Sequence, residues 1–316
     1  IYDILLSYIY DIIKRLIVLN KVLGGNFMKR RIISIFLIVI MIIGSATVFA
    51  DAVVGDVIVS LGDDLTEKEK EAILKEFNPP ENATMIVTTN KEEHEYLGDV
   101  VPAGKIGNNA ISSVIITYTE KGSGLNVYTS DKITYITDAT YINALITAGV
   151  EDADIKITAP TSATGTAALT GIMKAYEVST GKAIDDDIKK IANEEMVRTA
   201  ELGERIGNEK AVELINKIKQ EIAEKKPETT EEIRDIVMNI VNNFNINLSD
   251  EQIEQLVSLF DKMKNLDIDW NKVSNQIEKM AKKASDFLSS EEGQGFLQKL
   301  KLYFNAFIDW IASLFR

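Results

Sequence analysis

The chain has 316 residues, 46% of them hydrophobic, and a formal net charge of −13. It has no cysteine and one histidine, which excludes a disulfide framework, a cysteine-ligated metal centre, a thiol nucleophile and a His-pair metal site. The acidic balance argues against nucleic acid as a main partner, while length and apolar content suffice for one or two packed domains.

Residue 1 is Ile, and the first methionine is Met28. Gly24 and Gly25 stand just ahead of it. Glycine codons begin GG, so the pair fits a translated ribosome-binding sequence, and residues 1–27 read as a mistranslated leader. From Met28 the pattern is that of a secretory signal peptide over 28–50. Lys29, Arg30 and Arg31 form a basic cluster, an apolar run follows from Ile32 to Ile43, and Val48 and Ala50 stand at −3 and −1 of a cleavage site. The run is shorter than the roughly 20 residues of a comfortable membrane span, although an uncleaved anchor helix over 32–50 is the alternative. Removing residues 1–50, with six basic and two acidic side chains, brings the net charge to −17.

Beyond residue 50, strand and helix patterns alternate. Val53–Leu61 predicts a strand, and Thr66 to Glu69 fits a capping box that opens a helix ended by Pro79 and Pro80. Met85–Thr88 predicts a second strand and Asn90 caps a short helix that closes at Gly98. Ala110–Thr119 is a β-branched run, Lys121 to Gly124 turns the chain, and Leu125–Thr137 returns as one strand or a bent pair, a hairpin signal. Asp138 caps a helix closing at Gly149, Ala153–Thr158 predicts a strand, and Thr166–Thr180 a helix ending at Gly181. From Ile184 on, the pattern is wholly helical. Breaks fall at Gly203 and Gly207, at Pro227, at the Ser249 start, at an Asp269 cap, and at Gly293 and Gly295. The expected class is α+β: an N-terminal mixed-sheet α/β domain over 51–180, followed by an all-helical bundle domain over 184–316.

Several stretches carry a resemblance: Tyr96-Leu97-Gly98, Ala110-Ile111-Ser112-Ser113, Tyr141 through Gly149, Gly165 through Ala175, Ala200-Glu201-Leu202-Gly203 and Leu266 through Trp270. In these the chain resembles the DUF1002 family, exported proteins of low-GC Gram-positive bacteria with no assigned function. The resemblance spans about 53 to 285. It implies compartment and layout and carries no catalytic residues.

Five features are weighed for chemistry or binding. The loop before the 166–180 helix offers Thr161, Ser162, Thr164, Gly165 and Thr166 at a helix N-terminus beyond a strand end, where anions bind. A capped, packed connection is the structural alternative. Asp267, Asp269, Asn271, Asn275 and Glu278 fall at EF-hand loop spacing, but Lys272 replaces the glycine of the sharp turn, so no metal is expected. Ser179 and Lys182 match a Ser-x-x-Lys string that lacks its companion motifs, and His94 reads as a solvated helix-face residue. The segment 296–315 predicts an apolar helix whose Phe304, Phe307, Trp310, Ile311 and Phe315 serve a core, a protein interface or a membrane surface.

Together these features predict an exported, non-enzymatic binding or interaction protein at the cell envelope, without cofactor. Its expected partners are an envelope protein, a wall polymer or a membrane surface, and not nucleic acid. The alternative is a hydrolase of envelope polymers using carboxylates or the hydroxyls of 161–166.

Overall fold

The structure, a computed structural model, describes residues 53–98, 106–290 and 294. The expected leader 1–27, signal peptide 28–50, anchor helix 32–50 and C-terminal helix 296–315 lie outside the described residues.

Five strands form one mixed sheet: β1 (Val57–Gly62), β2 (Thr84–Thr88), β3 (Ser113–Tyr118), β4 (Leu125–Thr129) and β5 (Ala153–Thr158), in the order β2-β1-β3-β5-β4. β1 and β2 run parallel, and so do β4 and β5, whereas β3 is antiparallel to both β1 and β5. Each parallel pair needs a crossover. The first is helix α1 (Glu67–Phe77) and the second α3 (Asp138–Thr147). A short helix, α2 (Asn90–Leu97), links β2 towards β3, and α4 (Thr166–Thr180) follows β5.

The expected hairpin between β3 and β4 does not form. The turn at Lys121 to Gly124 is present, but β5 lies between the two strands and pairs with β3 from Ser113 opposite Thr158 to Tyr118 opposite Ala153. Burial explains the choice. β5 brings Ala153, Ile155 and Ile157 to the core, all nearly inaccessible, and suits a central slot. β4 is five residues long and turns Tyr128 to solvent, which suits an edge. Residues 130–137 are irregular, with Ile133 bridging to Ala163, and do not continue the strand.

Side chains alternate across the sheet with period two. Val59, Leu61 and Ile115 face α1 and pack with Ile73 and Phe77. Ile58, Val114, Ile116, Ile155 and Ile157 face the opposite way, into the core shared with α3 and α4. Five further helices continue this core: α5 (Asp186–Ile206), α6 (Asn208–Lys225), α7 (Thr230–Asn243), α8 (Asp250–Lys264) and α9 (Trp270–Ser289). α5 packs on α3, α2 and α4, α6 packs on α5 and α3, and α7 to α9 close around them. The expected α+β class is therefore observed.

Capping boxes at Thr66, Thr229 and Ser249 start α1, α7 and α8. Each satisfies helix N–H groups that would otherwise lack partners. Gly171 lets α4 approach the sheet. A Cβ there would meet Ser60 Oγ at 2.9 Å and Thr88 Oγ1 at 3.0 Å, two buried hydroxyls that bond each other at 2.7 Å. Gly171→Ala gains helix propensity of about 1 kcal/mol but overpacks this contact, for an expected net loss of about 1–2 kcal/mol. A urea-unfolding midpoint equal to or above wild type would contradict it.

Candidate functional site

Helix α2 opens on Thr89, not Asn90. Thr89 Oγ1 accepts from the Glu92 N–H at 3.2 Å, and Glu92 Oε2 accepts from the Thr89 N–H at 2.8 Å. This box turns Glu92 outward to Lys174 of α4, at 2.5 Å. It turns the next residue, Glu93, inward on the face of Leu97, four positions on. Glu93 is 1% exposed.

The Glu93 carboxyl meets the first residue of α4. Thr166 Oγ1 donates to Glu93 Oε1, and the Asn90 side-chain amide donates to Oε2 at 3.3 Å. Thr164 and Thr166 hydroxyls lie 3.1 Å apart. Asn90 also donates to the Gly107 carbonyl at 3.4 Å, and His94 Nε2 reaches the same oxygen at 3.1 Å. His94 is thus half-buried and engaged, not a solvated face residue. Burial pushes Glu93 up to about 7. The bonds from Thr166 and Asn90 and the charge of His94 resist that rise, and Asp64 adds to it.

Gly165 makes the junction possible. Its φ is +95°, and a side chain there would run into the hydroxyl of Tyr141 and into Ile133. Tyr141, fully buried, donates its hydroxyl to the Gly165 carbonyl at 2.5 Å, and burial holds it well above the ordinary tyrosine range. The expected anion position at the start of α4 is therefore faced by a carboxyl of the chain itself, which the helix dipole favours.

Of the five loop residues predicted as a site, Thr166 meets Glu93, Thr164 reaches Thr166 and Gly165 lies against Tyr141, while Thr161 and Ser162 are exposed. Asp269 caps α9 by accepting from the Lys272 N–H at 3.0 Å. Asn271, Asn275 and Glu278 lie within that helix, so the loop that would wrap a cation is not formed. Among the described residues no cluster of three His, Asp or Glu side chains is arranged to hold a metal. Ser179 sits near the end of α4, with Lys182 beyond it. Phe304, Phe307, Trp310, Ile311 and Phe315 lie outside the described residues.

A second buried polar cluster joins α3, α5 and α6. Lys219 of α6 meets Glu195 Oε1 of α5 at 2.5 Å, with both side chains wholly inaccessible. Lys219 Nζ also donates to the Asn143 carbonyl of α3 at 2.9 Å, and Thr147 Oγ1 donates to Glu195 Oε2 at 2.5 Å. Burial pushes Glu195 up and Lys219 down, and the charge of each partner opposes the shift of the other. The Asn143 amide has no hydrogen-bond partner at either end.

Residues 61–280 match the family model described as protein of unknown function (DUF1002). The chain is 52% identical over 268 residues to the uncharacterized protein YpuA of Bacillus subtilis (strain 168), covering 84% of this chain and 92% of that protein. No solved structure matches it.

Proposed function

This chain belongs to the DUF1002 family of proteins of unknown function, and from that premise we propose that it is a non-enzymatic binding protein exported to the cell envelope. The observation that carries the reading is the closure of the most reactive cluster. Glu93 has the near-neutral carboxyl of a general acid or base, yet it is 1% exposed and engaged with Thr166 and Asn90. The imidazole of His94 is held by Gly107. A catalyst must present such groups to a substrate within hydrogen-bond reach. Here Glu93 is engaged by Thr166 and Asn90 and His94 by the Gly107 carbonyl, and the contact between Glu93 and Thr166 ties α2 to α4. The basic and apolar pattern of 28–50 supports export, and the acidic balance suits a soluble extracytoplasmic chain.

The test uses protein recovered from the producing cells. Its N-terminal sequence is expected to begin at Asp51, and the same protein is expected to bind isolated envelope saturably without releasing fragments. Recovery of Ile1 or Met28 from a cytoplasmic fraction would overturn export. Fragment release that Thr166→Ala abolishes while circular dichroism stays unchanged would overturn the binding reading in favour of a hydrolase.

A further inference from the structure

The buried pair of Lys219 and Glu195 has a third neighbour that is chemically idle. Asn143 of α3 is wholly inaccessible, and neither end of its side-chain amide has a hydrogen-bond partner among the described residues. A buried amide left bare at both ends costs stability, so the position calls for an account. Two contacts fix its place in the cluster. Lys219 Nζ donates to the main-chain carbonyl of Asn143 itself at 2.9 Å. Thr147, four residues on and so on the same face of α3, donates its hydroxyl to Glu195 Oε2 at 2.5 Å. The carboxamide of Asn143 therefore lies on the face of α3 that meets the ion pair. An amine, a carboxamide and a carboxyl are sealed together, with none of the three side chains open to solvent.

We infer that these residues make an intramolecular isopeptide bond between Lys219 Nζ and Asn143 Cγ, with Glu195 carrying the protons. Burial pushes Lys219 down and Glu195 up. Both shifts favour passing the ammonium proton to the carboxylate across their 2.5 Å contact, which leaves a free amine and a carboxylic acid. The amine lone pair attacks Cγ, the Nζ–Cγ bond forms, and the carbonyl electron pair moves onto the side-chain oxygen. Glu195 gives its proton to the Asn143 side-chain nitrogen and takes one from Nζ. The carbonyl re-forms, the bond from Cγ to the old nitrogen breaks, and ammonia leaves with that electron pair. One amide replaces another, nothing is oxidised or reduced, and Glu195 ends as it began the attack, protonated. Burial also keeps out water, the competing nucleophile.

The bond ties α3 to α6 across 76 residues of sequence. A chain without cysteine has no disulfide to serve as such a staple. Chain that has not yet reacted carries the ion pair, and its unfolding reports the pair alone. The reaction occurs once per molecule and turns over no substrate, so it neither rests on the binding reading nor opposes it.

The experiment is mass spectrometry of the full chain, intact and after trypsin, following incubation of the folded protein. Wild type is expected to be lighter than its sequence by one molecule of ammonia and to yield a branched peptide joining Asn143 to Lys219. Asn143→Ala keeps both members of the ion pair and the main-chain carbonyl, and is expected to show its full sequence mass. Asn143→Asp is expected to restore the branched peptide, with water lost in place of ammonia. Glu195→Gln, taken as protein with native circular dichroism, is expected to form the bond about a hundredfold more slowly or worse. Wild type that stays at full sequence mass would overturn the inference. So would ammonia loss that persists in Asn143→Ala, or a branch at any other pair of residues. Bond formation at the wild-type rate in Glu195→Gln would remove Glu195 from the reaction.

Discussion

Lys219→Met is expected to destabilise the protein by about 3–5 kcal/mol, the usual loss when one partner of a buried ion pair is removed. The pair has no solvent to fall back on, since both side chains are wholly inaccessible. Without the ammonium, Glu195 keeps only the Thr147 hydroxyl at 2.5 Å, and the Asn143 carbonyl loses its donor at 2.9 Å. The carboxylate must then stay charged in a medium that does not solvate it, or take up a proton. The double variant Glu195→Leu/Lys219→Met is expected to recover most of the loss, because two apolar side chains of similar volume leave no buried charge behind. Urea unfolding of the two variants checks both statements. Lys219→Met within about 1 kcal/mol of wild type would mean that water reaches the pair, contrary to its burial.

Glu93→Gln is expected to remove a pH dependence of about 3 kcal/mol. In the unfolded chain Glu93 holds its proton up to its ordinary value of 4.5, and in the folded protein up to about 7. Across that window the native state binds a proton that the unfolded state releases. Stability from this group is therefore full below 4.5, falls as pH rises through the window, and stays low above about 7. Several carboxylates elsewhere, Glu76 and Asp261 among them, are shifted downward, and their linkage runs the other way. The measurement is therefore the difference between variant and wild type. Glutamine stays neutral and retains partners for Thr166 and Asn90. The variant is expected to match wild type near pH 5 and to exceed it by about 2–3 kcal/mol near pH 8. Parallel stability curves for the two proteins would show that Glu93 is solvated.

Both of these groups were invisible in the sequence for the same reason. Glu93 sits in the run Lys91-Glu92-Glu93-His94-Glu95, and Glu195 beside Glu194, each of which reads as a solvated charged face. The only hint was spacing. Glu93 precedes Leu97 by four, and Lys219 follows Ile215 by four, on helix faces that turn inward. A neighbour from another element decided each case, and one sequence does not show neighbours. Local chemistry was far more legible. The boxes at Thr66 and Ser249, the bounds of β5, and the helix from Thr166 to Gly181 all follow from side chains within a few residues of one another. Thr89 and Asn90 each have a glutamate three residues on, and it is Thr89 with Glu92 that forms the box while Glu93 turns inward. The order of strands was not legible. A turn between two β-branched runs predicts a pair, and nothing local announces that a third strand, about thirty residues later, will separate them.

That late strand sets a timetable for assembly. While the chain is complete only to residue 152, β3 has an open edge and β4 has no strand to join. The arrival of 153–158 closes both gaps in one step, from Ser113 to Tyr118 on one side and from Leu125 to Thr129 on the other. Chains emerging in order, from a ribosome or across a membrane, therefore carry an unfinished sheet until that segment is free. In pulse-labelling hydrogen exchange during refolding, the ladder amides of β4 and β5 are expected to gain protection together, and those of β1 and β2 earlier.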